Sequence, residues 1–294
     1  MKTKMKITTQ FYSFKKLILL LIFLWMILFA LAPNVFVIVV SFLEPSRDSF
    51  FYLKPTLANY ENLLDVLYLK VFLHSLFMAS IATLLCLLIA YPFAYFISQQ
   101  KKSVQSILLI LVIIPFWTNS LIRTYAIKGI LGTNGLLNKL LMFIGIIDHP
   151  LRLLYTELAV IIGFVYVLLP FMILPLYAGF EKLDKTLFEA AKDLGANSFQ
   201  RVTKILIPLT IPSIIGGILL VFLPALGMFY ISDLLGGAKN ILIGNIIKNQ
   251  ILYIQNWPFG AAISIALTLI MAIFIYFYHK FSKRNNDKVN GINL

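Results

Sequence analysis

Few residues of this chain combine a charge or a polar ring with an apolar setting, and they are the ones that can do chemistry. Asp233 ends a long apolar run, just after Phe229 and Tyr230, and Glu157 opens another. A carboxylate beside aromatic rings holds an ammonium group twice over, through its own charge and through the electron-rich ring faces. Trp117, Tyr125 and Tyr166 sit inside further apolar runs and offer more such faces. The same residues also suit helix packing or the aromatic belts at a membrane surface, and Asp233 also suits an exposed helix end. Arg123 lies in the run that holds Trp117 and Tyr125. It repels cations. Its place is in a gate, paired with Asp233 or Glu157, or at the interface with its stem buried and its head in water.

Catalytic patterns are missing from the sequence. There is no GxxxxGK[ST] phosphate loop and no G-x-S-x-G turn, hence no site of either kind for hydrolysing ATP or an ester. His74, His149 and His279 are far apart and Cys86 is the one cysteine, so no metal-ligand spacing is formed. The sequence therefore assigns the chain no catalytic residue, no metal and no bound cofactor. A transporter built this way draws its energy from a partner or from an ion gradient.

The elements that position these residues are membrane spans. The chain is 60% hydrophobic and 13% charged, about half the charged share of an ordinary soluble domain. Runs of about 20 apolar residues cross a bilayer. They predict six helices, over Leu17–Ser41, Phe72–Ile97, Ile107–Ile127, Leu158–Phe180, Ile207–Leu235 and Gly260–Tyr278. The fifth is long enough to be tilted or to stop before Asp233. The first follows a basic start but is too long for a signal-peptide core, and is read as a retained span. The net charge of +13 does not argue for nucleic acid, because membrane proteins gather Lys and Arg on the cytoplasmic side. With the N-terminus inside, the inner segments hold about twice as many Lys and Arg as the outer ones, which predicts a multi-pass chain with both termini cytoplasmic. Short helices are expected around residues 59–64, within 134–147 and within 239–257. Pro115, Pro170, Pro175, Pro212 and Pro224 lie in or near spans. Each either shapes its helix or frees a carbonyl that can meet a cation. The Gly216-Gly217 pair suits close helix packing.

Between the fourth and fifth spans the chain turns polar. Thr186-Leu187-Phe188-Glu189 has the capping-box form, with Thr186 as the cap and Glu189 reaching back to its amide. Leu187, Ala190, Ala191 and Leu194 recur on one helical face, and Glu189 can pair with Lys192 on another. Gly195 supplies the positive φ that ends such a helix. Asn197 or Ser198 caps a second helix, with Phe199, Val202, Ile205 and Leu206 as its apolar face, and Pro208 opens the next span. The product is a firm, sharply turned lever, and its two alanines let a partner surface approach the helix backbone. A plain polar loop containing two helical turns is the alternative on pattern alone.

Glu189-Ala190-Ala191, Gly195 and Ile205 to Pro208 together resemble the EAA signature of binding-protein-dependent ABC importer permeases. Ile207 stands where that pattern has Leu before the proline. Pro115–Arg123, Leu169–Tyr177, Glu181–Lys185, Tyr230–Asn240 and Asn256–Gly260 resemble the B-type permease subunits of spermidine/putrescine importers within that family. The resemblance implies an all-α polytopic protein with the six transmembrane helices of the type I importer permease fold. Residues 1–294 would form one transmembrane permease domain and residues 181–206 its cytoplasmic coupling loop. It implies a bacterial cytoplasmic (inner) membrane protein that forms half of a polyamine path. Its partners would be a C-type permease, two ATPase subunits that bind the ATP and Mg2+, and an extracytoplasmic polyamine-binding protein. Glu189, Ala190, Ala191, Leu194 and Gly195 become the ATPase-coupling residues. Asp233, Trp117, Tyr125, Tyr166 and Tyr230 become candidates for the substrate path, and Arg123 and Glu157 for a gate. The alternatives are the same machine carrying another small solute, a secondary transporter without an ATPase, for which no paired repeat is visible, and a structural membrane scaffold.

Overall fold

The computed structural model describes residues 15–46, 50–184 and 186–290. The basic start at residues 1–14 and Lys185 of the polar segment lie outside them. Contacts group the chain into two compact units, one of residues 1–65 and 249–269, the other of residues 66–248 and 270–294.

In the first unit, α1 runs over Lys15–Ser41, and its residues Ile27–Leu31 wind as a π-helix. Pro33 gives the reason. It has no amide for the carbonyl of Phe29, inside that stretch, and the ladder widens to compensate. Leu20, Phe23, Trp25 and Phe29 are all exposed, so α1 is apolar all round and belongs in lipid or against another protein. Beyond it, β1 (Leu43–Glu44) pairs antiparallel with β2 (Tyr52–Pro55). The short helix expected near residue 59 is α2 (Ala58–Leu63). Its buried Asn59 amide donates to the carbonyls of Ser41 and Leu43 at 3.0 and 2.8 Å, which ties α2 to the end of α1.

The second unit opens with α3 (Val66–Ser98), a full crossing. The third expected span differs from a single helix over Ile107–Ile127. Its helix α4 (Lys102–Trp117) stops, and the chain resumes at Ser120 after a bend of 94°. Pro115 withdraws a donor, Thr118 is extended (φ −90°, ψ 146°), and Asn119 caps the new helix by accepting from the Leu121 amide at 2.8 Å. Then come α5 (Ser120–Leu131), α6 (Leu136–Phe143) and α7 (Glu157–Glu181). The polar segment holds α8 (Thr186–Asp193), and α9 follows over Ser198–Gly227. The fifth expected span is thus corrected at its start, and at its end it takes the reading that stops before Asp233. It begins nine residues early and stops at Gly227, where Met228 leaves helical geometry (ψ 77°). Residues 229–236 form a separate short helix, α10, that is π-wound from Ser232. The expected helix of the 239–257 segment is α11 (Ile243–Leu252), and α12 (Trp257–Asn290) starts the last crossing in the first unit and ends in the second. With the bent pair taken as one crossing, the described residues give six.

The core of the second unit is α3, α7 and α9 packed together. Ala79, Ala82, Cys86, Ala90 and Ala94 are buried on one face of α3, a small-residue stripe that lets a neighbour close in. α7 and α9 cross through glycines. A methyl at Gly179 would stand 2.1 Å from the Ser213 Oγ, and one at Gly217 would stand 2.6 Å from the Met172 Sδ. Gly216 faces open space, so only the second glycine of that pair serves packing.

Candidate functional site

Two groups of residues stand out, at opposite ends of α7 and α9. At one end, α8 is an exposed helix held at both tips. Its first turn is set by Asp184, whose Oδ1 accepts from the Thr186 amide at 2.9 Å. That hydrogen bond, and a second from the Thr186 side chain, hold the Asp184 carboxyl below its ordinary pKa. Thr186 is therefore the first residue of the helix, and Asp184 supplies the oxygen expected from Thr186. At the far tip Gly195 takes φ +80°. Its amide donates to the Lys192 carbonyl at 2.9 Å and the Ala196 amide to the Ala191 carbonyl at 3.0 Å, the paired bonds of a Schellman ending. Asn197, rather than Ser198, caps the next helix. Its Oδ1 accepts from the Gln200 amide at 2.8 Å, and the Gln200 Oε1 accepts from the Asn197 amide at 2.9 Å. The turn is thus closed without outside help.

What the turn presents is apolar. Leu194 is 89% exposed and Phe199 76%, and Leu187, Glu189 and Ala190 are also exposed. Ala191 is half-buried. Glu189 borders a polar cavity of about 640 Å³, lined also by Tyr95, Lys102, Gln105, Glu181 and Arg201. Lys102 and Glu181 form an ion pair there, and the Tyr177 hydroxyl donates to Gln105 Oε1 at 3.0 Å. Those bonds brace the ends of α4 and α7 beneath the turn.

At the other end, Asp233 sits in the π-wound part of α10 and is already engaged. The Asn245 amide donates to its Oδ1, and the Lys248 ammonium pairs with its Oδ2. Asn245 and Lys248 are three apart on α11, so one helical face delivers both. The Lys248 ammonium also lies 5.6 Å from the Phe229 ring centre. The aromatic face beside Asp233 therefore has a cation of the chain's own. Tyr230 is half-buried, with its hydroxyl 3.8 Å from the Met228 sulfur.

None of the other candidates hydrogen-bonds or ion-pairs with Asp233, although the helices of Tyr125 and Glu157 pack against its segment. Trp117 and Tyr125 are 81% and 54% exposed. Tyr166 lines a separate cavity with Pro170. Glu157 stands 4.0 Å from His74. Arg123 is paired with neither carboxylate. It is buried, 5.4 Å from the Phe116 ring centre, with Nε and Nη1 lacking hydrogen-bond partners. Sequence reasoning missed Lys248 and Asn245. The signal was their three-residue spacing in a segment that was expected to be helical.

The comparisons agree with this architecture. Residues 90–287 match the family model of the binding-protein-dependent transport system inner membrane component. The chain is 54% identical over 277 residues to the spermidine/putrescine transport system permease protein PotB of Haemophilus influenzae, covering 94% of this chain and 97% of that one. It is 55% identical over 265 residues to the protein of the same name from Escherichia coli, covering 90% and 96%. In fold it is similar to a chain of a bacterial alginate ABC transporter solved in complex with an alginate pentasaccharide-bound periplasmic protein. That match has a TM-score of 0.76 at 16% identity and covers 92% of this chain and 94% of that one. A match this broad to one family, on a chain with up to six crossings and a braced helical turn, leads to a single assignment: the chain belongs to the binding-protein-dependent transport system inner membrane component family, the non-catalytic membrane subunits of ABC importers.

Proposed function

We propose that the chain is a permease subunit of an ATP-driven importer for polyamines, spermidine and putrescine. Support for the substrate comes from relatives named for spermidine/putrescine transport, which share over half of the aligned residues across nearly the whole chain. Support for the drive comes from one observation. Leu194 and Phe199 stand out from a turn whose own backbone bonds are complete. Two large apolar side chains on a braced, exposed element are a docking face. Its partner is the ATPase pair, which binds the ATP and Mg2+. Glu189, Ala190, Ala191, Leu194 and Gly195 are the coupling residues. This reading places the Glu189 end and both termini in the cytoplasm, and the Asp233 end towards an extracytoplasmic binding protein. A C-type permease completes the path.

Coupling then follows from stiffness. Closure of the ATPase pair on ATP pushes on α8, which the short, closed turn at Gly195 joins to α9. A loop would absorb that stroke, whereas this turn hands it on. The permease pair shifts from an inward-open to an outward-open population. Uptake of radiolabelled spermidine and putrescine, in cells lacking their own polyamine importers, tests the reading. ATP-dependent uptake should appear only when this chain is expressed with its neighbouring permease, ATPase and binding protein. An assembled complex that takes up neither polyamine overturns the substrate, and uptake without the ATPase overturns the mechanism.

A further inference from the structure

The polar cavity beside Glu189 lies where three spans end. Its wall takes Ser98 from the end of α3, Lys101 and Lys102 from the start of α4, and Glu181 from the end of α7. Glu189 of the α8 lever and Arg201 of α9 close it. Its volume of about 640 Å³ falls in the range of ligand sites, about 300–1,000 Å³. The charges around it do not all satisfy one another. Lys102 pairs with Glu181, but Lys101 and Glu189 form no ion pair among the described residues. Arg201 donates from Nη2 to the Ser198 Oγ at 3.1 Å, while its Nε is buried and has no partner. A buried donor without an acceptor is costly, so an acceptor brought from outside the chain fits there. Lys101 also leaves the first turn of α4 without a side-chain cap, which adds positive potential. A phosphate answers both free cations, and an ammonium answers Glu189. Phosphoethanolamine carries the two groups side by side.

The surroundings favour a lipid over a soluble anion. Span ends lie at the headgroup level of a bilayer, and basic pockets between helices on the cytoplasmic side take lipid headgroups. Deeper along the same three helices runs an apolar groove, lined by Phe93 of α3, Leu111 of α4 and Leu169 of α7. Nearer the helix ends Phe96 and Ile107 are exposed and offer apolar surface to acyl chains. A polar cavity at the membrane surface with apolar walls below it has the profile of a phospholipid, headgroup first and chains beneath. Resting on the permease topology proposed above, we propose that this cavity is a phospholipid headgroup site. Lys101 and Arg201 hold the phosphate, and Glu189 holds the ammonium, of a phosphoethanolamine. The lipid joins the α8 lever to the ends of α3, α4 and α7, and so stiffens the element that takes the ATPase stroke.

The test uses the assembled importer in detergent, titrated with dioleoyl phosphatidylethanolamine and read by native mass spectrometry. Lys101→Gln and Arg201→Gln should each weaken the tightest lipid binding about tenfold, the effect of losing one charge-assisted hydrogen bond. Arg201→Lys, which keeps the charge, should weaken it less. Lys101 is exposed, so its replacement leaves folding alone. Dioleoyl phosphatidylglycerol has the phosphate without the ammonium and should bind more weakly, and excess inorganic phosphate should not displace the lipid. Equal phosphatidylethanolamine binding by all the variants overturns the site. Phosphatidylglycerol binding as tightly overturns the headgroup, and displacement by inorganic phosphate overturns the lipid in favour of a soluble anion. Lipid that binds only once the ATPase is stripped away overturns it too, and gives the cavity to an ATPase side chain. Spermidine uptake by the same importer in proteoliposomes separates the two readings. Uptake with no difference in lipid binding between variants condemns this site alone, whereas a clear difference with no uptake keeps the site and sinks the polyamine reading.

Discussion

The two ends of α7 and α9 spend their polar groups in opposite ways. At the Glu189 end the hydrogen bonds close the backbone turns, and the side chains left over point outward: Leu194, Phe199 and Glu189 itself. At the Asp233 end the side chains bond within the fold, Asp233 to the side chains of Asn245 and Lys248 and Ser232 to the backbone carbonyl of Asn240. A surface meant for a partner keeps its contacts free while its scaffold is stiff. A surface that completes a fold uses its contacts internally. The same polar residue types thus read as an interface at one end and as a clasp at the other.

The largest expected effect tests the interface. Leu194→Asp, or Glu189→Lys, should weaken ATPase co-purification more than about tenfold, the change that about 1.4 kcal/mol produces. The protein should still insert in the membrane with unchanged thermal stability. Equal ATPase recovery from both variants would remove the docking assignment. Next comes the turn. Gly195 has φ +80° and nothing within 4 Å of an added Cβ, so substitution acts through backbone strain alone. Gly195→Val should cost at least about 1–2 kcal/mol of turn stability and uncouple uptake, while Gly195→Asn, which tolerates that conformation, should retain most of it. If both behave alike, the φ argument is wrong. Asp184 gives the pH dependence at the start of α8. Its pKa is held low in the fold, so its support is present at neutral pH and is lost as pH falls through the lowered value. Asp184→Ala should remove that dependence of ATPase binding, and Thr186→Ala should alter it less.

The clasp makes a contrasting prediction. Asp233→Asn removes the carboxylate charge that pairs with Lys248, whose side chain is only 16% exposed. That should cost about 1–3 kcal/mol of stability. Thermal unfolding of the extracted complex would show it, and the spermidine KM should move little. A raised KM with unchanged unfolding would return Asp233 to the substrate path.

The sequence showed the spans and the lever because both rest on local rules. Apolar length predicts a crossing, and Glu189 to Gly195 carries its own stop signal in a glycine. The bend at Pro115–Asn119 escaped because apolar length does not register direction. Proline, an extended Thr118 and a capping Asn119 turn the chain by 94° without interrupting its hydropathy. The Asp233 clasp escaped for another reason. Its partners come from a different helix, and a search for charges near spans sees a lone carboxylate where the fold has a pair. Arg123 was expected at water or in an ion pair, and it is instead buried over Phe116.

Packing between α7 and α9 gives the smallest and most discriminating differences. At Gly179 an added methyl meets the Ser213 side chain at 2.1 Å to Oγ and 2.7 Å to Cβ, and a β-carbon cannot swing away. At Gly217 it meets the Met172 sulfur at 2.6 Å, the flexible end of a long side chain. At Gly216 it meets nothing. Gly179→Ala should therefore destabilise by about 1–3 kcal/mol, Gly217→Ala by less, and Gly216→Ala should be neutral or slightly stabilising, because alanine favours helix over glycine by about 1 kcal/mol. Thermal unfolding of the three variants, each in the assembled importer, ranks them directly. If Gly216→Ala proves the most damaging, the open space beside it is filled by a partner subunit, and the packing surface of α9 extends beyond this chain.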